Sequence, residues 1–383
     1  MMWPELEPER PPWWHGRRSW LLAAGVAAAA AVAAVLLVVS ASRSPVSTPR
    51  SSALPAPGRL LVYDANGGRL LVERPGGGQR SVVHHVIGRP TTSSDGRYLL
   101  TDSGQLFVVR DGRVVERTSP LPSLESNRFV PGPPFADHDR WVLTPTSFSS
   151  GKLTLMPLGG GQPRSLGAGD GVAADPTAPG LYVSVARGQP VSLPGDSQVT
   201  VVPDVRVERR ILGQRPRTIT TAAQLDQLAH LPASAKLSIS MSPSPLGHAV
   251  LVVARSLTSS RPRVLLAVID PNGHLLDHVS GAQLAGGDWS PDGRQVAYED
   301  RAAHRLVIRE PAGRRSRSIE LPKDTTTYGA CVWSPDAKWL SCPVGAPHLQ
   351  SEPTNRIVVD LERGRTEVAP SDGAPLLWLP VHE

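Results

Sequence analysis

Three features of the sequence predict an all-β chain of repeated small sheets behind a single N-terminal membrane-spanning helix. A tight turn of the form Ser-Pro-Asp-Gly recurs along residues 58–383 at steps that suit one four-stranded sheet each. Short aliphatic runs such as Leu60-Leu61-Val62-Tyr63 flank turn-forming residues. A charge-free apolar stretch runs from Trp20 to Val39. Sheets of this size repeated around an axis make a β-propeller, and the spacing gives about seven blades.

Composition permits a packed core. Of 383 residues 40% are hydrophobic and 19% charged, and 39 Pro with 35 Gly stay below the level that marks disorder. The net charge is +6, and only four of the 40 basic residues are Lys. Two cysteines exclude both a disulfide-stapled miniprotein and a multi-zinc protein.

In chain order, residues 1–19 hold four Pro and balanced charge, a short tail with nothing to bury. Residues 20–41 form the predicted transmembrane helix: twenty uncharged residues span about 30 Å, the thickness of a hydrocarbon core. Arg17 and Arg18 precede it, and Trp13, Trp14 and Trp20 cluster at the same end. That arrangement places the N-terminus in the cytoplasm and the remainder outside the membrane. A cleaved signal ending near Ala41 is the alternative, since Arg17-Arg18-Ser19-Trp20-Leu21 is similar to a twin-arginine export motif. Both readings export the rest of the chain. Residues 42–57, rich in Ser, Pro and Ala, read as an extended linker.

The repeat is clearest at Asp288-Trp-Ser-Pro-Asp-Gly-Arg-Gln-Val-Ala-Tyr298 and Val332-Trp-Ser-Pro-Asp-Ala-Lys-Trp-Leu-Ser341. Fainter copies start at Thr92, Phe135, Ala173 and Met241, which puts turns at 93, 136, 174, 242, 290 and 334. Pro sets φ at the second turn position, Asp suits the third, and Gly takes the left-handed one. Ala337 and Asp139 stand where that Gly belongs, so strain or altered geometry is expected there. The 68-residue step between 174 and 242 carries an insertion. A capping-box pattern at Thr221-Ala-Ala-Gln224 ahead of Leu225, Leu228 and Leu231 predicts a helix near 221–231. Six turns plus one blade that joins the strands at 60–63 and 70–72 to Leu376–Leu379 make seven blades and close the ring. Six follow if the faint copy at 174 is no repeat.

These residues resemble the TolB-type propeller repeat, marked by the Trp-Ser-Pro-Asp-Gly turn, over most of 58–383. The resemblance implies a six- to eight-bladed propeller of the exported or membrane-anchored bacterial kind.

A three-residue bulged turn would pair Ser334 with Lys338, Trp333 with Trp339, Val332 with Leu340 and, in the earlier copy, Phe135 with Trp141. In that register Cys331 faces Ser341 and Cys342 faces Ala330. The two thiols then leave on opposite faces and are expected to be free; a bridge would require a bulge or a slipped strand.

No contiguous catalytic motif appears. There is no Gly-x-Ser-x-Gly elbow, His-Glu-x-x-His pair, Walker loop or EF-hand loop. Gly76–Gly78 and Gly159–Gly161 lie between strands and read as loops. His84 and His85, adjacent on a strand, point to opposite faces and do not combine on a metal. Asp95, Asp292 and Asp336 are explained by their turns. The basic runs Arg206…Arg209-Arg210, Arg215…Arg217 and Arg314-Arg315…Arg317 lack a nucleic-acid reader and read as solvated loops. Accordingly no catalytic, metal or cofactor residue is assigned, and no nucleic-acid partner. The expected function is a non-enzymatic, membrane-anchored extracytoplasmic propeller that binds a protein or glycan of the bacterial cell envelope. The alternatives are a transmembrane sensor signalling through the short tail, and a propeller lyase or lactonase with a non-contiguous site.

Overall fold

Short aliphatic strands separated by tight turns pair most readily with their sequence neighbours, and the computed structural model shows that pairing in most of its sheets. The structure describes residues 59–73, 79–93, 96–101, 103–110, 113–117, 134–147, 152–187, 191–193, 196–201, 204–230, 237–256, 263–322, 325–327, 331–345, 355–370 and 373–379. The tail, the expected membrane helix at 20–41 and the linker lie outside them. No helix among the described residues is long and apolar enough to cross a membrane.

The strands form a seven-bladed β-propeller of antiparallel sheets. The innermost strands of blades 2 to 6 are Pro90–Thr92, Phe135–Ala136, Asp170–Ala174, Leu237–Pro243 and Leu284–Trp289. Blade 7 splits its inner strand into Thr326–Thr327 and Val332–Trp333. Blade 1 takes its inner strand, Ala374–Leu379, from the far end of the chain, with Leu60 opposite Trp378 and Leu61 opposite Leu377. The ring closes as the sequence predicts. The faint copy at 174 is a genuine repeat, since the Asp175 N–H donates to the Gly180 carbonyl across its turn.

Blades are sandwiched, so both faces of most strands are apolar. Seven separate clusters of buried side chains result, one in each gap between adjacent blades. The gap between blades 4 and 5 holds fifteen buried residues, Tyr182, Val207, Leu225 and Leu265 among them. The gap between blades 2 and 3 holds five: Leu100, Leu106, Phe135, Val142 and Leu158. The predicted helix, α1 (Ala222–Ala229), sits between blades 4 and 5. Its Thr221 and Gln224 form the reciprocal capping box, and Leu225 is fully buried. The long step before blade 5 also contains a hairpin, Val191–Leu193 with Asp196–Val201, that the sequence reading did not anticipate.

The register differs from expectation by one residue. Ser334 closes its turn on Trp339: its N–H donates to the Trp339 carbonyl at 2.9 Å, and its Oγ accepts from the Trp339 N–H at 2.9 Å. Four residues therefore lie inside the turn rather than three. Trp333 faces Leu340 and Val332 faces Ser341. The earlier copy shifts likewise, with Phe135 opposite Val142 and Ala136 opposite Trp141. Trp333 and Trp339 consequently pack into different blade gaps. The slip also places Cys331 across from Cys342, and the two form a disulfide with Cα atoms 4.2 Å apart. The expectation of free thiols is corrected: the extra turn residue brings onto one face two side chains that the shorter turn would separate.

The turn itself is the same in four blades. Gly96, Gly247, Gly293 and Ala337 all adopt φ between +56 and +71°. In blade 5 the turn begins at Ser244, two residues later than the spacing suggested. Gly293 answers a second requirement, since a Cβ there would stand 2.4 Å from Ser244 Oγ of the neighbouring turn. Asp139 carries the strain expected of it, together with Asp137 and His138: three consecutive non-glycine residues have φ of +50, +51 and +62°.

Candidate binding site

Antiparallel order sorts the connections onto two faces. First-to-second and third-to-fourth strand connections lie on one, here the turn face. Second-to-third connections and those between blades lie on the other, the connection face. The turn face carries the short Ser-Pro-Asp-Gly loops. The strands Arg113–Arg117, Gly180–Arg187, Arg217–Thr221, Val250–Ser256 and Trp339–Gly345 end on the connection face, and more sequence separates each of these ends from the next blade strand than separates any two strands joined on the turn face. The propeller sequence enters at Arg59 on the turn face.

On the connection face between blades 1 and 2, Ile87 is held by its backbone. Its N–H donates to Gln105 Oε1 at 2.6 Å, its carbonyl accepts from Ser103 Oγ at 2.5 Å, and its side chain is 63% exposed.

Inner-strand tryptophans tie neighbouring blades together. The indole N–H of Trp289 donates to the Ser242 carbonyl, that of Trp333 to Asp288 and that of Trp378 to Val332, at 2.8–3.2 Å. Beside this ladder lies Asp288, after a bulge formed by Gly286 and Gly287. Asp288 Oδ2 accepts from the Cys331 N–H at 2.8 Å. Burial pushes this carboxyl up to about 7, with the Cys331 N–H offsetting part of the rise. The carboxylate is enclosed by protein atoms although the residue as a whole is only half-buried. Among the described residues no three His, Cys, Asp or Glu side chains gather around one point.

A recess of about 580 Å³ opens on the turn face between blades 2 and 3. It is lined by Arg97 and Tyr98 after the blade 2 turn, His138, Arg140 and Trp141 around the blade 3 turn, and Gly159 on the third-to-fourth connection. Tyr98 stacks on Phe135 at 6.1 Å, and Asp139 is buried beneath the exposed His138 and Arg140. The turn is anchored on blade 4, since the Asp137 and His138 N–H groups donate to the Asp175 and Pro176 carbonyls. A second recess, around Asp277 and Arg309 between blades 5 and 6, offers about 10 Å³, at most one water.

The residues singled out in the sequence fall elsewhere. His84 ends a strand with Ser81 Oγ 3.1 Å from its Nε2, and His85 has left-handed backbone. Asp292 and Asp336 accept from their own turn Ser and from the N–H two residues on, Arg294 and Lys338 respectively, as their turns require. Asp95 and Gly76–Gly78 lie outside the described residues. The first basic run is corrected: Arg206, Arg209 and Arg210 lie on the strand Asp204–Ile211 rather than in solvated loops. Arg206 and Arg210 clamp buried Glu208, and Arg209 pairs with buried Asp175 at 2.8 Å while covering the Tyr182 ring. Arg217 also lies on a strand and donates to Asn272. Arg315 and Arg317 are exposed on an outer strand, and Arg317 donates to the Leu361 carbonyl. Sequence reading missed the recess. Its signal was present in the two faint repeats, where a basic residue and an aromatic follow the turn in adjacent blades: Arg97-Tyr98 and Arg140-Trp141.

No family model matches the chain, and no curated protein matches it. Among solved structures it is similar to an oligogalacturonate lyase from Vibrio parahaemolyticus at 9% identity, covering 82% of this chain and 86% of that one, with a TM-score of 0.50. It is also similar to TolB from Acinetobacter baumannii at 12% identity, covering 85% and 67%, with a TM-score of 0.41. At 9% identity the first of these likenesses bears on the β-propeller fold alone, and the activity is argued from the site.

Proposed function

We propose that this chain is a non-enzymatic, membrane-anchored propeller on the outer side of the bacterial cytoplasmic membrane, and that its connection face binds a protein partner of the envelope. The segregation of the long connections carries the binding half of this reading. A closed ring holds its strand ends rigidly, and the longer stretches of sequence that follow the strand ends on this face offer the material for a recognition surface. The Cys331–Cys342 disulfide supports export, because such bonds persist in oxidising compartments. The uncharged stretch at 20–41 supplies the anchor.

The test uses a photo-crosslinking residue placed at Ile87 on the connection face or at Leu246 on the turn face. Both side chains are well exposed, at 63% and 59%. In intact cells, a defined envelope protein should be captured from position 87 and not from 246. Equal capture from both positions, or none from 87, contradicts the proposal.

A further inference from the structure

Comparison of two blades within the molecule shows how the recess between blades 2 and 3 arises. In blade 7 the Leu361 N–H donates to the Lys338 carbonyl, and the next residue, Glu362, pairs with Lys338 Nζ at 2.6 Å. In blade 3 the Leu158 N–H donates to the Arg140 carbonyl by the same bond, but the next residue is Gly159. A Cβ at Gly159 would meet nothing within 4 Å. The cation is thus kept while its carboxylate partner and the volume that partner filled are absent. The Arg140 side chain makes no ion pair among the described residues.

We propose that this recess binds an anionic glycan. The sugar ring packs its C–H face on the exposed part of Tyr98, and its carboxylate or phosphate takes the place that Glu362 holds in blade 7, against Arg140, with Arg97, His138 and Trp141 at the rim. Three features carry the assignment. The volume of about 580 Å³ suits a short oligosaccharide. Tyr98 packs on the blade 2–3 cluster at the floor of the recess and offers a ring an apolar face with a polar hydroxyl, while Trp141, packed chiefly on the blade 3–4 cluster, borders the opening. Guanidinium groups in a fork geometry match planar oxyanions. The three consecutive left-handed residues Asp137, His138 and Asp139 hold His138 and Arg140 at the rim, and backbone strain of this kind collects at ligand sites. This surface is distinct from the connection face, so the two proposals stand on separate experiments.

The test is calorimetric titration of the full-length chain in detergent with three probes: a glucuronate-containing tetrasaccharide, its carboxyl-reduced counterpart, and a glycerol phosphate tetramer that lacks sugar rings. The acidic tetrasaccharide should bind at least about ten-fold tighter than the reduced one, the effect expected of one charge-assisted hydrogen bond. Gly159→Glu, which restores the blade 7 arrangement, should weaken it by a similar factor with the melting temperature unchanged. Arg140→Gln should do the same, and carries the test should the glutamate variant fail to fold. Equal binding of the acidic and reduced sugars overturns the proposal, as does binding of glycerol phosphate alone, absence of binding by the acidic sugar, or affinity unchanged in both variants.

Discussion

The ring has two halves that cohere differently. From blade 5 through 6 and 7 to blade 1, each inner strand is latched to the preceding blade by an indole N–H, from Trp289, Trp333 and Trp378 in turn. In blades 2, 3 and 4 the matching positions are Thr92, Phe135 and Ala174, none of which has a side-chain donor suited to that bond. Cohesion there comes from the Tyr98–Phe135 stack, the backbone bonds from Asp137 and His138 to blade 4, and the smallest apolar cluster of the seven. The open recess lies in this second half. The Trp-Ser-Pro-Asp-Gly repeat is therefore a fastening device as well as a turn. At the gap between blades 2 and 3, where its Trp is replaced by Phe135, a recess opens beside the turn.

The largest effect is expected at the closure of the latched half. Arg356 of blade 7 pairs with Glu73 of blade 1, both almost fully buried. Arg356→Ala removes the cation that faces a buried carboxylate and should cost roughly 3–5 kcal/mol in chemical denaturation, while Glu73→Leu with Arg356→Leu should recover most of it. A loss no larger than that of a surface substitution would show that closure does not run through this pair. Next comes the disulfide: Cys331→Ala with Cys342→Ala should lower stability by about 2–3 kcal/mol, the entropy of so short a loop. Unaltered denaturation midpoints would contradict the bridge. Each latch is smaller. Trp289→Phe or Trp378→Phe keeps most of the packing and removes one hydrogen bond between blades, for about 1 kcal/mol. Phe135→Leu in the other half should cost less than about 1.5 kcal/mol by packing alone. Equal losses in both halves would erase the distinction.

The smallest effect is one of pH. The Asp288 carboxyl has a folded pKa near 7, above the ordinary value of 3.8. For an acid raised on folding, stability is fully present below the unfolded pKa and declines as pH rises through the folded one. The chain should lose stability between pH 4 and 7, and Asp288→Asn, which keeps an acceptor for the Cys331 N–H, should flatten that slope. An unchanged slope would place the titrating group elsewhere.

The sequence carried the ring because turn chemistry is local. Pro at the second position and Gly at the left-handed one mark each hairpin without reference to the rest of the chain, and Thr221 with Gln224 marks α1 in the same way. Register was harder to read, since turns holding three or four residues use the same Ser, Pro and Asp. The Ser334 Oγ bond to the Trp339 N–H decides between them, and the cysteines follow from that choice. The recess was harder still. It depends on Gly159 standing where its counterpart in blade 7 is Glu362, a correspondence visible only once the Leu158 and Leu361 backbone bonds align the two blades. The membrane helix expected at 20–41 lies outside the described residues, so the anchor rests on the sequence.

One measurement bears most directly on an exported ring with this register: peptide mapping of chain taken from intact cells whose thiols are alkylated before lysis. The account predicts that the peptides containing Cys331 and Cys342 are recovered joined and unalkylated. Recovery of both cysteines as alkylated free thiols would contradict the strand register and the oxidising location together.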